Sequence, residues 1–152
     1  MRSSWTAGLV SQQTLIWFSQ ISNFEADHFG GVHIFKVIVA GTRTFDDYEL
    51  LKSKLDFFLK NQTDVEIVSG TARGADALGE RYAAERGLAV KQFPADWDRY
   101  GRSAGYRRNA EMAEYADAAV VFWDGKSKGS KHMIDLAKEK GLPVRVVLYN
   151  KT

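Results

Sequence analysis

From residue 35 onward, short β-branched runs alternate with longer stretches in which apolar residues recur every three or four positions. The short runs, at 35–40, 65–69, 89–93, 118–123 and 144–148, are predicted as strands. The first, fourth and fifth are nearly continuous in apolar residues, as expected of strands covered on both faces. The longer stretches predict helices over 46–61, 74–86, 105–115 and 130–140. In the first of these Leu50, Leu51, Leu55, Phe58 and Leu59 fall on one face. Gly87 and Gly141 follow the second and last helices as C-caps, and Pro143 opens the final strand.

Strand and helix in strict alternation specify an α/β domain with a parallel sheet. Right-handed crossovers then favour a Rossmann-like, doubly wound, five-stranded sheet of order 3-2-1-4-5 with helices on both faces, spanning residues 35–150. In that order the loops after the first and fourth strands flank the switch point where open α/β sheets bind ligands. Residues 1–34 break the rhythm: Ser and Gln surround one apolar cluster, Leu15, Ile16, Trp17, Phe18 and Ile21, and Gly30-Gly31 follows. They are expected to form a mobile or loosely docked extension. The sharper alternative is a short helix whose aromatic face covers a second subunit.

Composition narrows the classes. The 152 residues are 45% apolar and 26% charged, the balance of one ordinary globular core. Without cysteine there is no disulfide framework, thiolate metal site or cysteine nucleophile. His28, His33 and His132 lack ligand spacing, so neither a metal nor a required cofactor is expected. The net charge of +2 leaves only a local patch for nucleic acid. No apolar run reaches the length of a membrane span and the N-terminus is a poor export signal, which points to the cytoplasm and no membrane partner.

Four segments at the predicted strand ends carry candidate chemistry. Gly41-Thr42-Arg43 runs from a buried strand toward a helix that Asp46 or Asp47 caps, an arrangement suited to phosphate. Ser69-Gly70-Thr71-Ala72-Arg73-Gly74-Ala75-Asp76 is built of small residues apart from its arginine, which leaves room for a ligand or for tight helix packing. Residues 94–109 make a long connection in which Arg99, Arg102, Arg107 and Arg108 alternate with Trp97, Tyr100 and Tyr106. Such a mixture suits stacking on a base, contact with single-stranded nucleic acid, or a solvated face over packed aromatics. Asp124-Gly125-Lys126-Ser127-Lys128-Gly129-Ser130 resembles a P-loop, but Val120 stands where its first glycine belongs. What remains is a Gly- and Ser-rich turn able to cradle phosphate at a helix N-terminus.

Taken together, VIVAGTR at 37–43, SGTARGAD at 69–76, GYRRNAEM at 105–112 and WDGKSKGS at 123–130 resemble the SLOG superfamily, above all its YspA-like members. The resemblance spans residues 35–149 and implies a Rossmann-like fold with a pocket for a nucleotide or an ADP-ribose-like derivative. The superfamily includes LOG-type phosphoribohydrolases, which cut the N-glycosidic bond of nucleoside monophosphates with an Arg and a Glu. Arg108 stands four residues before Met112, as that Arg does before its Met, but Met133 occupies the position of the Glu. A methionine neither stabilises an oxocarbenium-like centre nor moves a proton.

The leading expectation is therefore a module that binds or senses a nucleotide-derived ligand. Gly41, Thr42, Arg43, Ser69, Gly70, Ala72, Gly74, Ala75, Gly125, Ser127, Gly129 and Ser130 would surround it, with Arg108 and Asn109 as clamp. Asp76 and Asp124 would meet ribose hydroxyls, although each also has a plainer role at a helix start or turn. The alternatives are a nucleoside-monophosphate N-glycosidase, whose carboxylate would be Asp76 or Asp124, and single-stranded nucleic-acid binding through residues 97–108. A homodimer or higher homo-oligomer is expected from the resemblance, with Trp17 and Phe18 suited to an interface.

Overall fold

The computed structural model describes residues 11–22 and 33–150. Five strands, β1 (Phe35–Gly41), β2 (Val65–Ser69), β3 (Ala89–Gln92), β4 (Ala118–Trp123) and β5 (Val144–Leu148), form one parallel sheet of order β3-β2-β1-β4-β5. This is the expected topology. Val37 at the centre sits beside Ile67 of β2 and Ala118 of β4, so successive residues of β1 face opposite layers.

Helices α2 (Tyr48–Phe58) and α3 (Ala75–Arg86) cover one layer, packing Leu51, Leu55, Phe58, Tyr82 and Ala83 against Val37, Val39, Ile67, Val120 and Phe122. Helices α5 (Ala104–Tyr115) and α6 (Lys128–Glu139) cover the other, where Met112, Met133 and Ile134 meet Ile38, Ala40, Val68 and Val121. Each branched side chain buried in this way contributes about 1.5–3 kcal/mol relative to exposure. The first strand run closes one residue later than expected, at Gly41, and the third one earlier, at Gln92. Helix α2 is shorter than the predicted 46–61, because Asp47 rather than Asp46 caps it by accepting Leu50 N–H at 3.0 Å. Its far end tightens, with Lys60 N–H turning back to Phe57 O. The last helix begins two residues before the predicted 130–140 register, at Lys128, because Ser127 serves as N-cap.

Helix α1 (Gln12–Ile21) changes the picture of the N-terminal stretch. Ser11 caps it by accepting Thr14 N–H at 3.1 Å, and Trp17 and Ile21 are each only 1% exposed within the α2 layer. Trp17 Nε1 donates to Phe58 O at 3.1 Å, its ring tilts against the Phe58 ring, and Arg145 Nη1 on β5 donates to Gln13 Oε1 at 2.8 Å. One edge of this helix, Trp17 and Ile21, thus joins the core while Leu15 and Ile16 stay about half exposed, and Trp17 packs within its own chain. Residues 1–10 and 23–32 of that stretch lie outside the described residues. No helix among the described residues is long and apolar enough to cross a membrane.

Candidate functional site

At the C-terminal ends of β1 and β4 the chain leaves the sheet toward opposite layers, and the parting opens a cleft of about 400 Å³. Thr42 ties the two loops that flank it. Its N–H donates to Phe122 O at 2.9 Å, its Oγ1 accepts Asp124 N–H at 3.2 Å, and its carbonyl accepts Phe45 N–H at 3.1 Å. Gly41 precedes it at the closest approach to β4, where a Cβ would lie 2.1 Å from Phe122 O. Arg43 then reaches out over the Trp97 ring, 5.7 Å from its centroid.

The loop between β2 and α3 forms the next wall. Gly74 has φ +74°, and a Cβ there would stand 2.4 Å from Thr42 O and 2.5 Å from Arg43 O. Glycine therefore lets the two loops pack backbone to backbone. At Gly70 a Cβ would fall 2.6 Å from Arg108 Nη1 and 2.8 Å from Asp76 Oδ2, so the missing side chain makes room for both charged groups. Ala72 N–H donates to Asp76 Oδ2 at 3.1 Å. Ser69 is fully buried and turns its hydroxyl away from the cleft, donating to Glu80 Oε2 at 2.6 Å.

From the opposite layer α5 supplies Arg108 and Asn109, both nearly buried. Arg108 Nη1 donates to Gly70 O, and Nε donates to Asn109 Oδ1 at 3.1 Å. Asn109 Nδ2 in turn lies 3.1 Å from His132 Nδ1 and reaches Gly129 O at 3.5 Å. Burial pushes the Asp76 carboxyl up to about 6, against the pull of its backbone hydrogen bond and of Arg108 and Arg43. Burial likewise lowers the pKa of the Arg108 guanidinium, and partial burial lowers that of His132.

The fourth wall is the start of α6. Asp124 Oδ1 accepts the N–H groups of Lys126 and Ser127, each at 2.9 Å, and those amides hold its carboxyl below the ordinary range. Ser127 Oγ accepts Ser130 N–H at 3.4 Å, and Ser130 Oγ donates to Ser127 Oγ at 3.2 Å. The amides of Lys128 and Gly129 come before any intrahelical acceptor is available and carry the positive end of the helix dipole.

Ten of the sequence candidates line this one cleft: Gly41, Thr42, Arg43, Ala72, Asp76, Arg108, Asn109, Ser127, Gly129 and Ser130. The others have different places. Gly70 borders an adjoining hollow, Gly74 and Ala75 pack beneath the β1 loop, Ser69 serves Glu80, and Asp124 and Gly125 make the turn before α6. The lining also includes Arg102, Tyr106, Met112 and Met133. The two methionines follow Arg108 and Gly129 by four residues, so helical spacing alone sets them on the same helix faces.

The long connection at 94–109 is largely helical. Asp96 caps a single turn, α4 (Trp97–Tyr100), a 3₁₀ turn (Gly101–Ser103) follows, and α5 begins at Ala104. Trp97 and Tyr106 remain about half exposed at the cleft, at 48% and 47%. Arg99 and Arg107 both lie against Tyr100, at 5.1 and 4.2 Å from its ring centroid. Among the described residues no ion pair joins Arg43, Arg73, Arg102 or Arg108 to a carboxylate, whereas Arg81 and Arg86 on α3 are paired with Glu85 and Asp56.

Comparison with known proteins agrees with this architecture. The model of the YspA, cpYpsA-related SLOG family matches residues 35–100, which include β1, the β2–α3 loop and Trp97. The gene 61 protein of Mycobacterium phage D29 is 33% identical over 116 residues, covering 72% of this chain and 93% of that protein. No solved structure matches the chain. On the family match over 35–100, which carries β1 to β3 and the glycine loops of the cleft, and on a relative 33% identical over 72% of the chain, the chain belongs to the YspA, cpYpsA-related SLOG family.

Proposed function

We propose that this protein is a binding or sensing module for a nucleotide-derived ligand held at the C-terminal edge of its sheet. Family membership suggests nucleotide-ligand binding in general. The observation that carries the finer reading is that one cleft brings together the N-terminus of α6, the unpaired Arg43 and the half-exposed rings of Trp97 and Tyr106. Free amides and a guanidinium bind phosphate, flat aromatic rings bind a base, and Met112 and Met133 supply an apolar floor between them. Asp76 stands where it can accept from a ribose hydroxyl.

A thermal-shift screen against nucleoside mono- and diphosphates tests this reading. Wild type gains stability with at least one of them, and Arg43→Ala loses most of that gain. An Arg43→Ala protein that binds every such ligand as well as wild type overturns the assignment.

A second reading, hydrolysis of an N-glycosidic bond, is favoured by Asp76 and Arg108 lining the same cleft with Asp76 titrating near neutrality. Asp76 is the only carboxylate in the lining among the described residues; it would take one proton from the attacking water as oxygen bonds to the anomeric carbon and the N-glycosidic bond breaks, and then hand that proton to the departing base, leaving ribose phosphate and neutral base. Chromatography of the same ligand mixtures decides: released base that disappears in Asp76→Asn makes the protein an enzyme, and intact nucleotides leave it a binding module.

A further inference from the structure

His132 stands on α6 in the seam with α5, behind the cleft and outside its lining. It is half-buried, and its ring meets the Tyr106 ring edge-on with centroids 4.5 Å apart. Its Nδ1 lies 3.1 Å from Asn109 Nδ2, the last link of a chain that runs from Gly70 O through Arg108 to Asn109.

The donors and acceptors at its two ends fix every atom in that chain. Arg108 Nε is only ever a donor, so the Asn109 atom it meets at 3.1 Å is the carbonyl oxygen. On its other side the Asn109 amide reaches Gly129 O, which only accepts, so that atom is the nitrogen. Asn109 Nδ2 therefore gives one hydrogen to Gly129 O and the other to His132 Nδ1, and the His132 ring carries its own proton on Nε2. A proton on Nδ1 sets two donors face to face. Turning the amide over does not relieve this, because it then offers Nδ2 to the Arg108 donor and Oδ1 to the Gly129 carbonyl.

We propose that His132 is a proton-sensitive positioning residue: its neutral Nε2–H tautomer locks Asn109 and, through it, the Arg108 guanidinium, and protonation of Nδ1 releases the lock. Nothing in the chain of bonds depends on the nucleotide reading, yet Arg108 and Asn109 both line the cleft, so a clamp set at neutral pH slackens in acid. The charges around the ring act in both directions. Asp135 and Glu139 on its own helix favour the proton, but Lys131 already holds Asp135 at 2.7 Å and Lys128 stands one turn before His132. From α5 the Tyr106 ring and the Asn109 amide face it, with Arg108 one hydrogen bond further on. Burial outweighs the two carboxylates and lowers the His132 pKa from the ordinary 6.5, so the lock holds at neutral pH and opens below that value.

Nitrogen NMR of the imidazole and guanidinium groups in the free, full chain reads both ends of the relay. At neutral pH His132 shows the Nε2–H tautomer, and the Arg108 Nε–H signal is slow to exchange. On acidification His132 titrates below 6.5, and the Arg108 signal is lost with the same midpoint. Asp76, beside Arg108, titrates in a similar range, and His132→Gln separates the two. This variant keeps Asp76 and supplies an acceptor that does not titrate, so its Arg108 signal persists through the range in which wild type loses it. Asn109→Asp accepts from Arg108 and from a protonated Nδ1 at once, and raises the His132 midpoint by about one unit or more. An Nδ1–H tautomer at neutral pH, an Arg108 signal that ignores the His132 titration, a loss in His132→Gln equal to that in wild type, or an unmoved midpoint in Asn109→Asp overturns the proposal. Each of these outcomes leaves the nucleotide reading standing, because no ligand enters the measurement.

Discussion

Asp76 carries its charge at a cost. The folded carboxyl titrates near 6 against an ordinary value of 3.8, so below pH 3.8 it is protonated in both states and costs nothing. Between pH 3.8 and 6 the unfolded chain releases its proton while the buried native carboxyl keeps it, so stability falls by about 3 kcal/mol across that window and levels off above 6, where both states are ionised. Asp76→Asn keeps an acceptor for Ala72 N–H and removes this slope. Urea unfolding of the variant is expected to be nearly flat between pH 4 and 7 relative to wild type, with the largest gain at the upper end. A nearby glycine sets an opposite expectation. Gly74→Ala forces a side chain into positive φ and against the carbonyls of Thr42 and Arg43, and should cost about 2–4 kcal/mol in the same assay.

Among the elements, α1 and α6 have the most to say. The Trp17 side chain is almost wholly buried between α2 and the sheet and donates its N–H to Phe58 O, so Trp17→Ala should cost about 3–5 kcal/mol by chemical denaturation. A loss below about 1 kcal/mol would mean that α1 is not part of the cooperative unit. The start of α6 was visible in the chain as a Gly- and Ser-rich run, but its register was not. Ser127 rather than a later residue takes the cap, because Asp124 closes the turn by accepting the N–H groups of Lys126 and Ser127, and the Ser127 hydroxyl accepts Ser130 N–H. Element existence followed from apolar periodicity, while the ends depended on side-chain hydrogen bonds that composition does not reveal.

For the whole molecule, a ligand in the cleft contacts loops that leave both halves of the sheet, so binding should stabilise the domain as one unit. At a hundredfold excess over Kd the gain is about 2.7 kcal/mol, which raises the Tm of a domain of this size by about 5–10 °C. Differential scanning calorimetry should show a single transition moving by that amount, and a transition that splits would place the cleft outside the cooperative core. Apolar runs of period near 2 and near 3.6, with glycine at the helix ends, determined by themselves the alternation of strand and helix and hence a parallel sheet covered on both faces, and the commonest arrangement of right-handed crossovers supplied its order. Those properties depend on local hydrophobic burial and on the handedness of crossovers, both carried in linear pattern. Only the tertiary structure decided that Ser69 serves Glu80 rather than the cleft, that Asp124 closes a turn, that Trp17 belongs to the core, and that Arg43, Trp97 and Arg108 wall two hollows at once. Each of these turns on the rotation of one element against another, and that rotation is set by packing between residues distant in the chain.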